Sequence, residues 1–178
     1  MPRCNGAERA ALVAVLLMAL AGCAGQAAQR AEISAARPLP SVDGSVLEVS
    51  QDLRFSKPMR DALDAGLPLR LIYRVRGCAG ALARRIDVDL RHSALTRRYE
   101  LHVDAAEPRY FARRSALYAA LDQLRLPLGD AAFLDCPGSV QLHLDLAALP
   151  APLRLPALLQ PQAWRMRSTV RTWTGAAG

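Results

Sequence analysis

The four cysteines of this chain are the residues that point most directly to chemistry, because a thiol can act as a nucleophile, bind a metal or form a disulfide. Cys4 and Cys23 flank an apolar run at residues 10–21, while Cys78 and Cys136 stand far along the chain. The run has twelve uncharged residues. As a helix it would be about 18 Å long, against a hydrocarbon core of about 30 Å. It is therefore too short to span a membrane comfortably.

The flanks of the apolar run have the layout of a secretory signal. Arg3 and Arg9 precede the run, and the small residues Ala21 and Gly22 follow it. A basic region, a short apolar region and a small-residue cleavage site are typical of a segment that is removed on export. We therefore predict that residues 1–22 are a signal peptide; a retained anchor is the alternative.

The four residues around the predicted cleavage point, Leu20-Ala21-Gly22-Cys23, resemble a bacterial lipobox. The resemblance implies that the thiol of Cys23 takes a diacylglycerol, that cleavage occurs just before it, and that the new amino terminus is acylated. Several acyl chains hold a protein on a membrane far more firmly than one chain does. Ala24 after the cysteine favours the outer membrane over the inner one. We predict a periplasmic protein with Cys23 as its lipid anchor; a cleaved secretory signal without lipid is the alternative.

Export changes what the remaining cysteines are expected to do. Cys4 leaves with the signal and Cys23 is lipidated, so the folded part keeps Cys78 and Cys136. Two cysteines in an oxidising compartment favour one disulfide. It would close a loop of nearly sixty residues, worth about 4 kcal/mol in the loop-entropy model. Two buried thiols, or a redox or metal role, are the alternatives.

The mature chain is long enough for one domain and a short leading segment. Residues 23–44 have no sustained periodicity and include the turn formers Pro38 and Pro40. We predict a lipidated N-terminus and flexible tether there, one small domain at residues 45–174, and a disordered tail at residues 175–178.

Alternation with period two dominates the predicted domain and is typical of strands with one buried face. Parallel strands covered on both faces would be continuous apolar runs, so the alternation favours antiparallel strands. We predict an α+β fold, mainly an antiparallel sheet of about five or six strands with two short helices packed on it. The strands are predicted at residues 69–76, 86–92, 99–104 and 140–146, with a closing strand within residues 163–174.

Charges suggest how two of these strands pair. If Leu90 faces Leu101, then Arg91 faces Glu100 and Asp89 faces His102. Opposite charges directly across a sheet stabilise it by about 0.2 to 1 kcal/mol per pair. The helices are predicted at residues 58–65, ending at Gly66 as a C-cap, and around residues 112–125.

Segments between residues 45 and 174 follow a recognisable order: "PMRDALDAGLPL" before a strand, "ALTRRYEL" in a hairpin and "ALYAALDQLRLPL" before the last strands. In this order they resemble the bacterial family known as domain of unknown function 4390. Members often carry Tyr-His just before the hairpin segment, where this chain has His92-Ser93. The resemblance implies no established activity. Members often lie beside nitrogen-regulation-type sensor kinases in genomes, so it also implies a link to a membrane sensor.

Few side chains have the spacing that catalysis needs. The chain has no GxSxG elbow, no HExxH, no Gly-rich phosphate loop and no paired CxxC motifs. Its three histidines, His92, His102 and His143, lie on predicted strands, where exposed histidines are expected. A zinc site formed by two of them with Asp89 or Asp145 is the alternative. We predict no catalytic residue, no metal and no cofactor.

The chain is basic, with a net charge of +7, and 22 of its 23 basic residues are arginines. A GC-rich genome explains this bias, and so does a surface that binds carboxylates or phosphates through arginine. The pairs Arg97-Arg98 and Arg113-Arg114 form a possible interaction surface; solvated charges at loops and helix ends are the alternative. Export excludes cytoplasmic nucleic acid as a partner.

Two functions from different classes fit these observations. The first is a non-enzymatic envelope lipoprotein, attached to a membrane through its lipid, whose domain binds another envelope protein, such as a membrane sensor. The second is a periplasmic domain that binds a small molecule or a lipid, or hydrolyses one, in a pocket between helix and sheet.

Overall fold

The computed structural model describes residues 29–175 and contains two antiparallel sheets with four helices packed around them. This architecture confirms the predicted α+β class, but the strands divide between two sheets. The elements in chain order are β1 (Arg30–Ser41), β2 (Gly44–Arg54), α1 (Lys57–Asp64), β3 (Leu69–Gly77), β4 (Leu82–Ser93), β5 (Arg98–Val103), β6 (Arg109–Phe111), α2 (Arg114–Asp122), β7 (Gln123–Pro127), β8 (Gly138–Leu144), α3 (Ala151–Leu159), α4 (Pro161–Trp164) and β9 (Arg171–Trp173).

The larger sheet has six strands in the order β6-β5-β4-β3-β8-β9. The predicted register of β4 and β5 is confirmed, because Leu90 pairs with Leu101, Arg91 with Glu100 and Asp89 with His102. The alternating residues of β3, β4, β5 and β8 point inward as predicted. They form one wall of the core, which includes Leu71, Tyr73, Ile86, Val88, Leu101 and Leu142.

The smaller sheet has three strands in the order β1-β2-β7 and forms the other wall of the core. Its buried residues include Leu47, Val49 and Leu124. One polar side chain, Gln51, crosses this apolar interior: its Nε2 donates to the carbonyl oxygen of Leu121 at 2.8 Å. The hydroxyl of Tyr73 donates to Oε1 of Gln51 at 3.0 Å. A single amide therefore joins both sheets and the end of α2.

The tether predicted at residues 23–44 is wrong for most of its length, since Arg30–Ser41 is strand β1. Only Ile33 on this strand is fully buried, so its own sequence carries almost no period-two signal. Its backbone pairs with β2 from Arg30 to Ser41, and this pairing holds it in the sheet. The turn between them needs Gly44, at φ +113°, because a Cβ there would lie 1.7 Å from the carbonyl oxygen of Gly129.

The first predicted helix is confirmed and the second is too long. Helix α1 begins after Ser56, whose side chain caps the backbone N–H of Met59, and the chain turns at Gly66 with φ +81°. Helix α2 ends at Asp122, and residues predicted to continue it form β7 instead. Leu124 fits a helical repeat with Leu117 and Leu121, but it also alternates with Leu126, and pairing with β2 selects the strand.

The closing strand predicted within residues 163–174 is also shorter than expected. Trp164 ends the short helix α4, Arg167 makes a single bridge to His143, and only Arg171–Trp173 forms strand β9. Helix α3 was not predicted. The predicted signal peptide at residues 1–22, the predicted lipidation site Cys23 and nearly all of the predicted tail lie outside the described residues.

The predicted disulfide between Cys78 and Cys136 is confirmed, with an S–S distance of 2.12 Å. Cys78 follows the end of β3 and Cys136 precedes β8, and these two strands are neighbours that pair Gly77 with Gly138. The bond therefore closes one end of the six-stranded sheet.

Candidate functional site

A groove of about 500 Å³ runs beside β7. One wall comes from β2 and β7, and the other comes from β5 and the turn that leads to β6. Four charged residues line it as well: Arg125 pairs with Glu48 at 3.5 Å, and neither Glu107 nor Arg109 forms an ion pair among residues 29–175. The apolar lining residues are Val46, Leu101, Val103, Ala106, Leu124 and Pro127.

The groove lies next to strand edges that have no neighbouring strand within the described part of the chain. Strand β7 is the last strand of the three-stranded sheet and pairs only with β2. Strand β6 is the last strand of the other sheet, and it is so short that it covers only Tyr99 to Leu101 of β5. Open edges present unpaired backbone N–H and C=O groups, which can pair with an added strand. Apolar walls beside an open edge can accept an extended peptide or an apolar small molecule.

The four arginines of the predicted interaction surface come to one end of β5 and β6. Arg97 lies in the β4–β5 turn at φ +53° and Arg98 begins β5. The pairing of β5 with β6 ends at Tyr99 opposite Phe111, and Arg113 follows Phe111 after one residue. Arg97, Arg98 and Arg113 are exposed, and none of them forms an ion pair with a described residue. Arg114 differs, because its Nη1 lies 2.6 Å from Oδ2 of Asp64.

Asp64 explains why Arg114 is not part of the free basic surface. Its Oδ1 accepts a hydrogen bond from the hydroxyl of Tyr99 at 2.7 Å, and its backbone carbonyl lies 3.1 Å from Nδ1 of His92. The rings of His92 and Tyr99 pack together with centroids 4.5 Å apart. Desolvation raises the pKa of Tyr99, and the hydrogen bond to Asp64 raises it further. These contacts tie α1 and α2 to the sheet, so His92 has a structural role.

The carboxylates named as alternative zinc ligands are already paired with arginines. Asp89 lies opposite His102 in the sheet, but its Oδ1 accepts from Nε of Arg70 at 2.7 Å. This hydrogen bond raises the pKa of Arg70. Asp145 lies 3.8 Å from Nη2 of Arg85. Within residues 29–175 no three His, Cys, Asp or Glu side chains come together as a metal site would need.

A second pocket, of about 310 Å³, lies beside α4 and is basic. Arg74, Arg165 and Arg167 line it together with His143 and Leu146. Burial lowers the pKa of His143, and the nearby Arg74 and Arg167 lower it further. Sequence reasoning missed this pocket because its residues come from β3, β8 and the segment after α4, which are far apart in the chain.

Helix α3 carries an exposed apolar face. Leu155, Leu158 and Leu159 have exposed fractions of 63%, 75% and 72%, while Ala157 on the other side is buried. The spacing i, i+3, i+4 puts the three leucines side by side. This spacing is visible in the sequence, but prolines at 150, 152, 156 and 161 argue against a helix there.

No helix among the described residues is both long enough and apolar enough to cross a lipid bilayer. No protein-family model matches the chain, and neither the curated proteins nor the solved structures compared with it include a match. The resemblance to domain of unknown function 4390 therefore stays a prediction, and the geometry above is the basis for a functional proposal.

Proposed function

We propose that this protein is a non-enzymatic envelope lipoprotein, anchored by Cys23 to the outer membrane, whose periplasmic domain binds an extended segment of another envelope protein. The lipobox-like motif supports the anchor. The disulfide between Cys78 and Cys136 supports an exported location, since such bonds persist in oxidising compartments. The observation that carries the binding role is the groove beside the open edge of β7.

The groove suits recognition by strand addition. In this mode the backbone of the partner pairs with the open edge, and alternate side chains of the partner enter pockets beside it. Val46, which is half-buried, and the buried Val103 and Leu124 would contact these side chains. Covering Val46 and the apolar side chains of the partner would release water from apolar surface.

Charge defines the other part of the partner segment. Strand β5 runs from the groove, at Leu101, back to the exposed Arg98, and Arg113 lies two positions after the end of β6 at Phe111. Arg98 is three positions before Leu101 on β5, or roughly 10 Å at 3.3 Å per residue. A segment with alternating apolar residues followed by acidic residues would satisfy both regions. The resemblance makes the periplasmic part of a membrane sensor kinase the first partner to test.

Crosslinking in cells tests this proposal on the full chain. A photoreactive amino acid replaces Gln123, which is exposed on β7 and lines the groove. The same amino acid replaces Ala83 as a control, since Ala83 is exposed on β4 and lies outside the groove. We expect one reproducible protein to be captured from position 123 and not from position 83. Capture of the same proteins from both positions, or of none from position 123, would contradict the proposal.

Matched substitutions separate binding in the groove from general surface effects. Val46→Asp puts a charge on the apolar wall, whereas Val170→Asp puts it on a valine that is 57% exposed elsewhere. We expect only Val46→Asp to abolish the crosslink. Replacing Arg97 and Arg98 with alanine should weaken it, and an unchanged crosslink would remove the arginines from the interface.

The same groove supports a second candidate, binding of an apolar small molecule or lipid. Its volume of about 500 Å³ lies within the range of roughly 300 to 1,000 Å³ that is usual for ligand sites. Native mass spectrometry of protein purified without denaturant distinguishes the two functions. A bound small molecule that is lost in Val46→Asp and kept in Val170→Asp would favour the ligand-binding role.

A further inference from the structure

The start of the described chain is fixed against α4. Nε2 of Gln29 donates to the carbonyl oxygens of Gln162 and Arg165, at 2.6 and 2.7 Å. Gln162 belongs to α4, which follows α3 after a single residue. The chain therefore enters the domain beside α4, the helix that α3 leads into.

The distance from the predicted lipid to this face is short. Gln29 lies six positions after Cys23, and six residue steps span at most roughly 20 Å even when fully extended. The tether of about twenty residues that would have let the domain stand away from the membrane is largely used by β1. If Cys23 carries lipid, α4 lies close to the membrane surface, and only Gln160 separates α4 from α3.

Exposed side chains of α3 and of the segment after α4 match the chemistry of a membrane interface. Leu155, Leu158 and Leu159 form an exposed apolar ridge on α3. Interfacial helices bury such ridges at the boundary between headgroups and acyl chains, and neighbouring cations bind anionic lipids. The cations here are Arg165 and Arg167, both exposed, which line the basic pocket beside α4 with Arg74.

We propose that the α3–α4 face is a membrane-contacting surface, in which the leucine ridge of α3 enters the bilayer interface and the arginine-lined pocket beside α4 takes the phosphate of an anionic phospholipid. This inference rests on the proposed lipid anchor at Cys23 for its geometry. It adds a fixed orientation, because a domain attached at two places on one face cannot turn freely on its anchor.

Tryptophan fluorescence in reconstituted vesicles tests the contact directly. The full, processed protein carrying Leu158→Trp is reconstituted into vesicles of phosphatidylethanolamine and phosphatidylglycerol with brominated acyl chains. Val42→Trp is the matched control, since Val42 is 102% exposed in the turn after β1. Strand β1 has twelve residues, so its two ends are eleven steps apart, or roughly 36 Å at 3.3 Å per residue. Val42 follows the end of β1 that lies away from Gln29. Wild-type protein supplies the background from Trp164 and Trp173.

We expect the emission of Leu158→Trp to move to shorter wavelength and to be quenched by the brominated lipid, while the emission of Val42→Trp does neither. Equal quenching at both positions, or none at position 158, would overturn the contact. A shift to shorter wavelength without quenching would also overturn it, because a second copy or a protein partner would then cover the ridge.

The same quenching assay tests the role of Arg165 and Arg167. Arg165→Gln with Arg167→Gln should reduce the quenching of Leu158→Trp. Arg37→Gln with Arg76→Gln removes the same charge from exposed positions outside this face and should not reduce it. Equal effects of the two double substitutions would overturn the role of the pocket in binding phosphate.

Intact mass of the same samples reports lipidation separately. A lipidated protein in which position 158 is unquenched would overturn the α3 contact and leave the anchor standing. An unlipidated protein in which position 158 is quenched would overturn the anchor and support the contact. An unlipidated protein in which position 158 is unquenched would overturn both the anchor and the α3 contact.

Discussion

The hydrogen bonds of Gln51 give a prediction whose size follows from the structure. Gln51 is 5% exposed and Tyr73 is fully buried. Nε2 of Gln51 donates to the carbonyl oxygen of Leu121 at 2.8 Å and lies 2.7 Å from the hydroxyl of Tyr73. Gln51→Leu keeps nearly the same volume but leaves both of these polar groups without a partner.

The cost can be worked out from the groups left unpaired. A buried polar group without a hydrogen bond costs about 1 to 3 kcal/mol, so Gln51→Leu should lower the free energy of unfolding by about 3 kcal/mol. Tyr73→Phe leaves only Oε1 of Gln51 unpaired and should cost about 1 to 2 kcal/mol. The double variant leaves only the Leu121 carbonyl unpaired and should cost about 1 to 2 kcal/mol, which is roughly 3 kcal/mol below the sum of the single costs.

Urea unfolding followed by circular dichroism, with the disulfide intact, measures all four proteins. The control is Gln162→Leu, because Gln162 is exposed on α4 and the same substitution there should change stability by less than about 0.5 kcal/mol. Additive costs for Gln51→Leu and Tyr73→Phe, or a Gln51→Leu protein as stable as the control, would refute the assigned hydrogen bonds. A changed slope against urea would instead mean that the substitution altered the unfolding transition itself.

Three further predictions concern other parts of the fold. Replacing Cys78 and Cys136 with serine should lower the free energy of unfolding by about 4 kcal/mol, from the loop that the bond closes, and urea midpoints of oxidised wild type and variant check this; equal midpoints would contradict it. His143 has a lowered pKa in the folded protein, so the unfolded chain takes up more protons and stability should fall as pH drops below about 6.5; His143→Gln should lose this part of the pH dependence of the melting temperature, and an identical pH profile would count against it. Burial and the nearby Asp52 raise the pKa of Asp122, so the folded protein holds this proton more tightly than the unfolded chain does. Stability should therefore fall as pH rises from the ordinary pKa of an aspartate through the raised pKa of the folded protein. Asp122→Asn should therefore raise the melting temperature at pH 7, and an increase of the same size at pH 3 would argue against this cause.

Local sequence patterns predicted the strands in which several alternating residues are buried. In β3, β4, β5 and β8 every second residue is apolar, so the period of the sequence equals the period of the structure. The opposite charges of Arg91 and Glu100 also predicted the register, because a shift by one residue would have buried the charged face. The disulfide followed from counting cysteines after removal of the predicted signal.

Other elements depend on neighbours that no local pattern reveals. Strand β1 buries only Ile33 fully and is held by its pairing with β2. Strand β7 carries leucines that fit a helix as well as a strand, and its pairing with β2 decides between the two.

The groove and the basic pocket, on which the functional proposals rest, also depend on contacts that no local sequence pattern reveals. The groove combines β2, β5 and β7, and the basic pocket combines β3, β8 and the segment after α4. The sequence by itself determined the predicted anchor at Cys23, the strand pattern and the cysteine pair, because each is written within a few residues or in a count. Only the tertiary structure decided that Gln29 enters beside α4, because that contact joins residues more than a hundred positions apart. Which face lies nearest the predicted anchor is therefore a property of the fold.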